Sequence, residues 1–201
     1  MFRRLLLLVV IGCFAATVRG QISFRDTIDT YNKQRIVTNI KGMNVLAGWG
    51  GANLVAGGVG YFTAKSDEWK YFHQMNAGFG LVNFGLAEYG MWRAIKQSRQ
   101  PLDMRKAWHA YRRDKRTIML GIGFDVATMA TGALLMDKAK NNPANAAMLR
   151  GYGKALLLQG IFSITFDNLF LAAHNKNSGP WATILEEMRF TGNGISYTHT
   201  F

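Results

Sequence analysis

The sequence predicts an all-α fold: a four-helix transmembrane bundle of two helical hairpins, with a basic amphipathic helix in the middle connection. Three observations carry this. Four stretches are apolar or small-residue rich, each about 20 residues long, the length that crosses a hydrocarbon core as a helix. Lys and Arg avoid those stretches and crowd into the connections, as in a membrane protein with basic loops. The stretches are also rich in glycine. Glycine costs roughly 1 kcal/mol relative to alanine in a soluble helix, but is common where membrane helices pack closely. A mean hydropathy of −0.01 is low for such a protein, so the prediction rests on distribution and not on the average.

The chain begins Met1-Phe2-Arg3-Arg4, followed by the apolar run Leu5–Ala16 and then Val18-Arg19-Gly20. A short basic region, an apolar run and small residues before a break predict an export signal over residues 1–20, cleaved after Gly20. The run is too short for a first span. Val10-Ile11-Gly12-Cys13 resembles a lipobox, but the residues after Cys13 are apolar where a lipoprotein turns polar. Cleavage after Gly20 removes the only cysteine, leaving a mature chain without a disulfide or a thiolate nucleophile.

A membrane domain over 21–176 follows, with spans at about 43–64, 73–92, 117–136 and 154–173. Ile28, Tyr31, Ile36 and Ile40 recur at helical intervals and lead into the first span. Between the second and third spans, residues 93–116 carry nine cations against Asp103 and Asp114. Met104, Ala107, Trp108 and Tyr111 follow helical spacing there, with Pro101 and Asp103 as start signals. This is the pattern of an amphipathic helix at the headgroup level. Arg105, Lys106, Arg112, Arg113, Lys115 and Arg116 are its candidate contacts with anionic membrane lipid. Residues 177–201 read as a turn, a short helix starting near Pro180, and a closing strand in which Ile195, Tyr197, His199 and Phe201 alternate.

Gly48, Ala52, Ala56 and Gly60 recur every four residues, a small-residue face suited to a second copy or a membrane partner. The spans also resemble one another in pairs. Aligning residues 49–61 with 79–91 matches Gly50 with Gly80, Asn53 with Asn83 and Gly60 with Gly90, while the third and fourth spans share Phe124-Asp125 and Phe166-Asp167.

The net charge of +12 raises nucleic acid as a partner, but the segregation of the cations into the connections argues for none. A cleaved signal would place the 93–116 connection outside the cytoplasm, whereas the side carrying it holds 15 Lys and Arg against 6 on the other and would by the positive-inside rule face the cytoplasm. The two signals conflict. One terminal strand does not make a barrel, so the bacterial inner membrane is favoured over the outer membrane.

Residues 41–61, 71–90 and 151–174, which begin "KGMNVLAGWGG", "YFHQMNAGFG" and "GYGKALLLQG", make the chain resemble an uncharacterised family of small Gram-negative bacterial proteins with about four predicted membrane helices, over roughly residues 31–176. The resemblance implies an architecture and no activity.

Asn53, Asn83, Asp125 and Asp167 fall near the middle of their spans, with Glu88 and Asn168 close in sequence. Antiparallel spans would bring them to a common depth, either as interhelical hydrogen bonds or as a proton or cation site. His73 and His174 stand at opposite ends of the bundle and cannot share a haem; His109 and His174 share an end with Asp103 and Asp114 but lack a recognised metal-ligand spacing. No phosphate-binding loop, dinucleotide fingerprint, zinc-protease motif or nucleophile elbow is present, and no cofactor is expected. The reading is a non-enzymatic structural or partner-binding envelope protein. Its alternatives are an ion- or proton-binding bundle using Asp125 and Asp167, and a lipid-acting membrane enzyme.

Overall fold

The computed structural model describes the backbone of residues 2–100, 103–178, 188–191 and 194–197, and the side chains of Asp26, 28–100 and 103–178. The chain forms helices α1 (Phe2–Thr63), α2 (Asp67–Ser98), α3 (Met104–Lys138) and α4 (Ala146–Ser178), then strands β1 (Met188–Thr191) and β2 (Gly194–Tyr197). Ser66 caps α2, its hydroxyl accepting from the Trp69 amide, and Asp103 caps α3 by accepting from the Lys106 amide at 2.8 Å. Two single-turn 3₁₀ helices, Ala139–Asn141 and Pro143–Asn145, close the turn from α3 to α4.

The four expected spans are helical throughout except for Ala64, one residue past the end of α1, and each helix extends beyond its span at one end or both. The basic segment is not a separate interfacial helix: it is the first half of α3, continuous with the third span. No glycine or proline interrupts residues 103–120, and Met, Arg, Lys and Ala favour the helix, so nothing ends it at the span boundary. In the same way residues 23–41 belong to α1 and 93–98 to α2. Leu5–Ala16 and the expected cleavage point after Gly20 lie along α1 in the full chain.

The short helix expected after Pro180 is corrected at its end. Met188–Phe190 is strand, antiparallel to β2, with Phe190 opposite Ile195 and Met188 opposite Tyr197. Cross-strand pairing of these apolar residues prevails over the helical spacing. Pro180, residues 181–187, and His199 and Phe201 of the expected closing strand lie outside the described residues.

α1 packs along α2 and α3 along α4, so the two hairpins are as the sequence predicts; they join mainly where α4 lies against α2 and α1. Each seam is narrow. A Cβ on Gly50 would stand 2.6 Å from the Phe84 amide nitrogen and 2.9 Å from the Gly80 carbonyl, and one on Gly80 would stand 2.7 Å from the Gly50 carbonyl. The two glycines matched by the internal repeat therefore touch across α1 and α2. Gly132 and Gly153 make the same close approach between α3 and α4, a Cβ on either falling within 2.8 Å of the other's carbonyl.

The stripe Gly48, Ala52, Ala56 and Gly60 is not this seam. Gly48, Ala52 and Ala56 are exposed, and only Gly60 is buried, against the His73 ring. The α2 seam follows a seven-residue pattern through Asn76, Gly80, Asn83, Ala87 and Ala94, all buried.

Many polar and small residues are buried in the bundle beside some larger apolar ones, and many large apolar side chains stand exposed. Phe62 is 86% exposed and Val55, Phe124 and Leu169 67% each, while Gln159 and Arg35 are 1% exposed. Among the described residues two segments, Met104–Asn141 and Pro143–Ser178, are long and apolar enough to cross a membrane.

Candidate functional site

Two buried polar layers cross the bundle. The first surrounds Gln159 on α4. Its Nε2 donates to Asn53 Oδ1 at 2.8 Å and to Asn76 Oδ1 at 2.6 Å, and its Oε1 accepts from Trp49 Nε1 at 2.9 Å. The amide nitrogens of Asn53 and Asn76 each donate to a carbonyl one turn back in their own helix, at 2.8 and 2.9 Å. The layer is neutral, and both side-chain donors and the acceptor of Gln159 are used. It ties α1, α2 and α4 together.

The second layer lies toward the basic end and draws on all four helices. Buried Arg35 donates to Asp114 Oδ2 at 2.6 Å, to Asn32 Oδ1 at 2.9 Å and to Gln97 Oε1 at 3.0 Å, while its Nε has no partner. Asn39 donates to the same Asp114 oxygen at 3.4 Å, and its Oδ1 lies 3.0 Å from His174 Nε2. Asn177 donates to Thr38 beside it. Tyr31 and Tyr111 form the apolar core of this end, and burial raises the Tyr31 phenol well above its ordinary value. An aromatic ladder one side of α4 wide links the layers: Trp49 stacks on Phe162 at 4.0 Å, and Phe162, Phe166, Phe170 and His174 follow at four-residue steps.

The four mid-span residues are thus divided. Asn53 is in the Gln159 layer. Asn83 is buried with its Nδ2 unpartnered, and Asp125 is buried with its Oδ2 unpartnered. Asp167 lies against Gly121, one turn before Asp125 on α3, so the two carboxylates occupy neighbouring turns of the α3–α4 seam. No hydrogen bond joins the four to one another among the described residues. Glu88 and Asn168 are exposed, and Asn168 donates to the Ile164 carbonyl of its own helix at 2.7 Å. Each follows an inward-facing residue by one position, a rotation of about 100° on a helix.

Beside the second layer lies a cleft lined by α1, α2 and α3. Its outer part, about 450 Å³, is lined by Arg35, Arg93, Lys96, Lys106, His109 and Arg113 together with Tyr89 and Trp92. Its inner part, about 380 Å³, shares Tyr89, Arg93 and Gln97 with the outer part and continues between Met43, Leu46, Leu86 and Ile118, with Asp114 and Asp167 on the far wall. Of the expected headgroup contacts, Lys106 and Arg113 face this cleft. Arg105, Arg112 and Arg116 are exposed and absent from the cleft wall; Arg112 lies over the Trp108 ring at 4.9 Å, and Lys115 lies over Tyr111 at 5.8 Å.

His73 stands at the α1–α2 turn and His174 at the opposite end. Among the described residues no group of three His, Cys, Asp or Glu side chains is placed to hold a metal ion.

The sequence reading missed Trp49, Asn76, Gln159, Arg35, Asn39 and Gln97. The seven-residue spacing of Asn76, Gly80, Asn83 and Ala87 is the signal that would have found Asn76, and Gln159 is the one amide in an apolar run.

The chain belongs to a family of unknown function, DUF6992, whose model matches residues 45–168. That range covers the Gln159 layer, both carboxylates of the α3–α4 seam and the α2 and α3 walls of the cleft. No curated protein and no solved structure matches the chain.

Proposed function

We propose that this member of the family is a multi-pass membrane protein of the bacterial envelope, in the inner membrane, with a structural or partner-binding role and no catalysis of its own. The observation that carries the reading is the inverted surface. Large apolar side chains stand exposed along the middle of all four helices, such as Val55, Val82, Phe124 and Leu169, while Asn53, Asn76, Asn83, Asp125 and Gln159 are buried. In water that surface would be an aggregation liability; in lipid it is the solvated face.

The ends of the helices support the same reading. Trp69 and Tyr71 mark one end of α2, and Tyr89 and Trp92 the other. At 1.5 Å per residue these belts lie roughly 27–35 Å apart, matching a hydrocarbon core flanked by aromatic residues. All four helices then cross, although α1 and α2 owe their modest hydropathy to glycine and asparagine. Both polar layers hold helices together, as small and hydrogen-bonding residues do where lipid supplies no hydrophobic drive between helices.

Membrane extraction tests this. The native chain is expected to stay with the membrane pellet through alkaline carbonate and to need detergent for release. Recovery as a monodisperse protein without detergent would overturn it.

A second reading, a proton or cation site, is favoured by one observation: Asp125 is buried with an unpartnered oxygen, one turn from Asp167. Asp125→Asn with Asp167→Asn would then abolish ion-coupled flux in vesicles, whereas unchanged flux and stability would leave only the structural role.

A further inference from the structure

We propose that the cleft between α2 and α3 is a binding site for a single anionic phospholipid. Its phosphate would be held among Arg93, Lys96, Lys106 and Arg113, and one acyl chain would enter the inner part past Tyr89.

Charge is the first argument. The outer part of the cleft has no carboxylate in its wall. Asp103 reaches Lys106 at 3.6 Å and Asp114 reaches Arg113 at 3.4 Å from outside that wall, but Arg93 and Lys96 have no carboxylate partner among the described residues. Lys96 lies over the Trp92 ring, 5.2 Å from its centre, and buried Arg35, with its unpartnered Nε, also faces the cleft. Cations from two separate helices converge on one space, where their mutual repulsion is relieved by a bound anion.

Shape is the second argument. A free phosphate needs only the cationic part. This cleft adjoins a space of similar size walled on one side by Met43, Leu46 and Leu86, with Tyr89, Arg93 and Gln97 common to both parts. A cationic mouth beside a slot with one apolar wall, along which an acyl chain can lie away from Asp114 and Asp167, fits an amphiphile. Tyr89 stands at the junction and Trp92 beside it in the outer part, their rings 5.9 Å apart, at the level where aromatic side chains meet lipid headgroups. This separates the site from the general basic face of α3: Arg105 and Arg116 carry the same charge and lie off the cleft.

The inference rests on the membrane reading, and its test is independent of membrane extraction. The full chain in neutral detergent micelles is titrated with phosphatidylglycerol, phosphatidylcholine and inorganic phosphate, with retained lipid counted by native mass spectrometry. One phosphatidylglycerol is expected to bind in preference to phosphatidylcholine, and millimolar phosphate is not expected to displace it. Arg93→Gln with Lys96→Gln should weaken it by about thirtyfold, from roughly fivefold per cation at an anionic surface. Arg105→Gln with Arg116→Gln should change it less than about twofold, since exposed charges off the site are screened. Leu46→Trp, which fills the slot, should reduce lipid retention and leave the helical circular dichroism intact. Equal losses in the two double variants would overturn the proposal in favour of diffuse surface charge. Displacement by inorganic phosphate alone would overturn it in favour of a free-anion site.

Discussion

The two buried polar layers solve the same problem with different chemistry. Around Gln159 the groups are neutral amides and an indole, and each hydrogen bond made by the glutamine side chain ends on another helix of the bundle. Around Arg35 the layer is ionic, one guanidinium nitrogen is left over, and the adjoining cleft gathers further cations. A closed neutral layer fixes the positions of three helices and asks for nothing more. An ionic layer with surplus positive charge beside an open cleft holds the helices and leaves an attraction unspent. The comparison separates a closed, neutral centre from an open, cationic end.

The largest effect should come from breaking the ionic layer. Arg35→Met leaves Asp114 without its main counter-charge and should cost about 3–5 kcal/mol, read from unfolding in detergent. Adding Asp114→Leu should recover much of that loss, because the pair is then replaced by apolar groups. If the double variant is no better than the single, the ion pair is not what Arg35 contributes.

Next comes the neutral layer. Gln159→Leu strands the Trp49 indole N–H and the side-chain oxygens of Asn53 and Asn76, and about 2–4 kcal/mol should be lost. This loss should be insensitive to salt, since no formal charge is involved. A strong salt dependence would blur the distinction between the layers. Gly80→Val should cost about 1–3 kcal/mol by forcing α1 from α2, because even a Cβ there would meet the Leu54 amide nitrogen at 2.5 Å. A neutral outcome would mean that the seam is looser than its geometry.

The smallest effect belongs to the α3 cap. Asp103→Ala should cost about 1 kcal/mol. The hydrogen bond from the Lys106 amide holds the Asp103 carboxyl below its ordinary value. Its contribution is therefore present above the unfolded-state value of about 4 and is lost as pH falls through the lower folded-state value. In Asp103→Ala that part of the acid dependence should vanish, as measured by α3 amide exchange at low pH.

What the sequence revealed follows from what its patterns encode. Charge segregation and span length mark out four helices in two hairpins, because those properties belong to each segment alone. The Gly50 and Gly80 match was visible as a repeat, and the structure turns it into a contact. Continuity is less visible. The basic segment at 104–116 has the composition of a headgroup helix, yet only the absence of a breaker before Gly121 tells that it runs on into the span. Least visible is partnership. Asn53 could be singled out by its depth, but its bond to Gln159 depends on the rotation of α4 against α1, which single-helix spacing leaves open. The cleft needs α1, α2 and α3 brought around one space, a property of the whole bundle.

The proposed membrane location requires that the apolar outer side of the bundle meet lipid, and site-directed spin labelling measures this most directly. In a chain lacking Cys13, single cysteines at Val55, Val82, Val126 and Ile161 place one nitroxide on the exposed mid-portion of each helix. In a reconstituted bilayer all four should collide readily with oxygen and poorly with a water-soluble nickel chelate. Ready collision with the nickel chelate at these positions would contradict the membrane location, because the apolar surface would then face water.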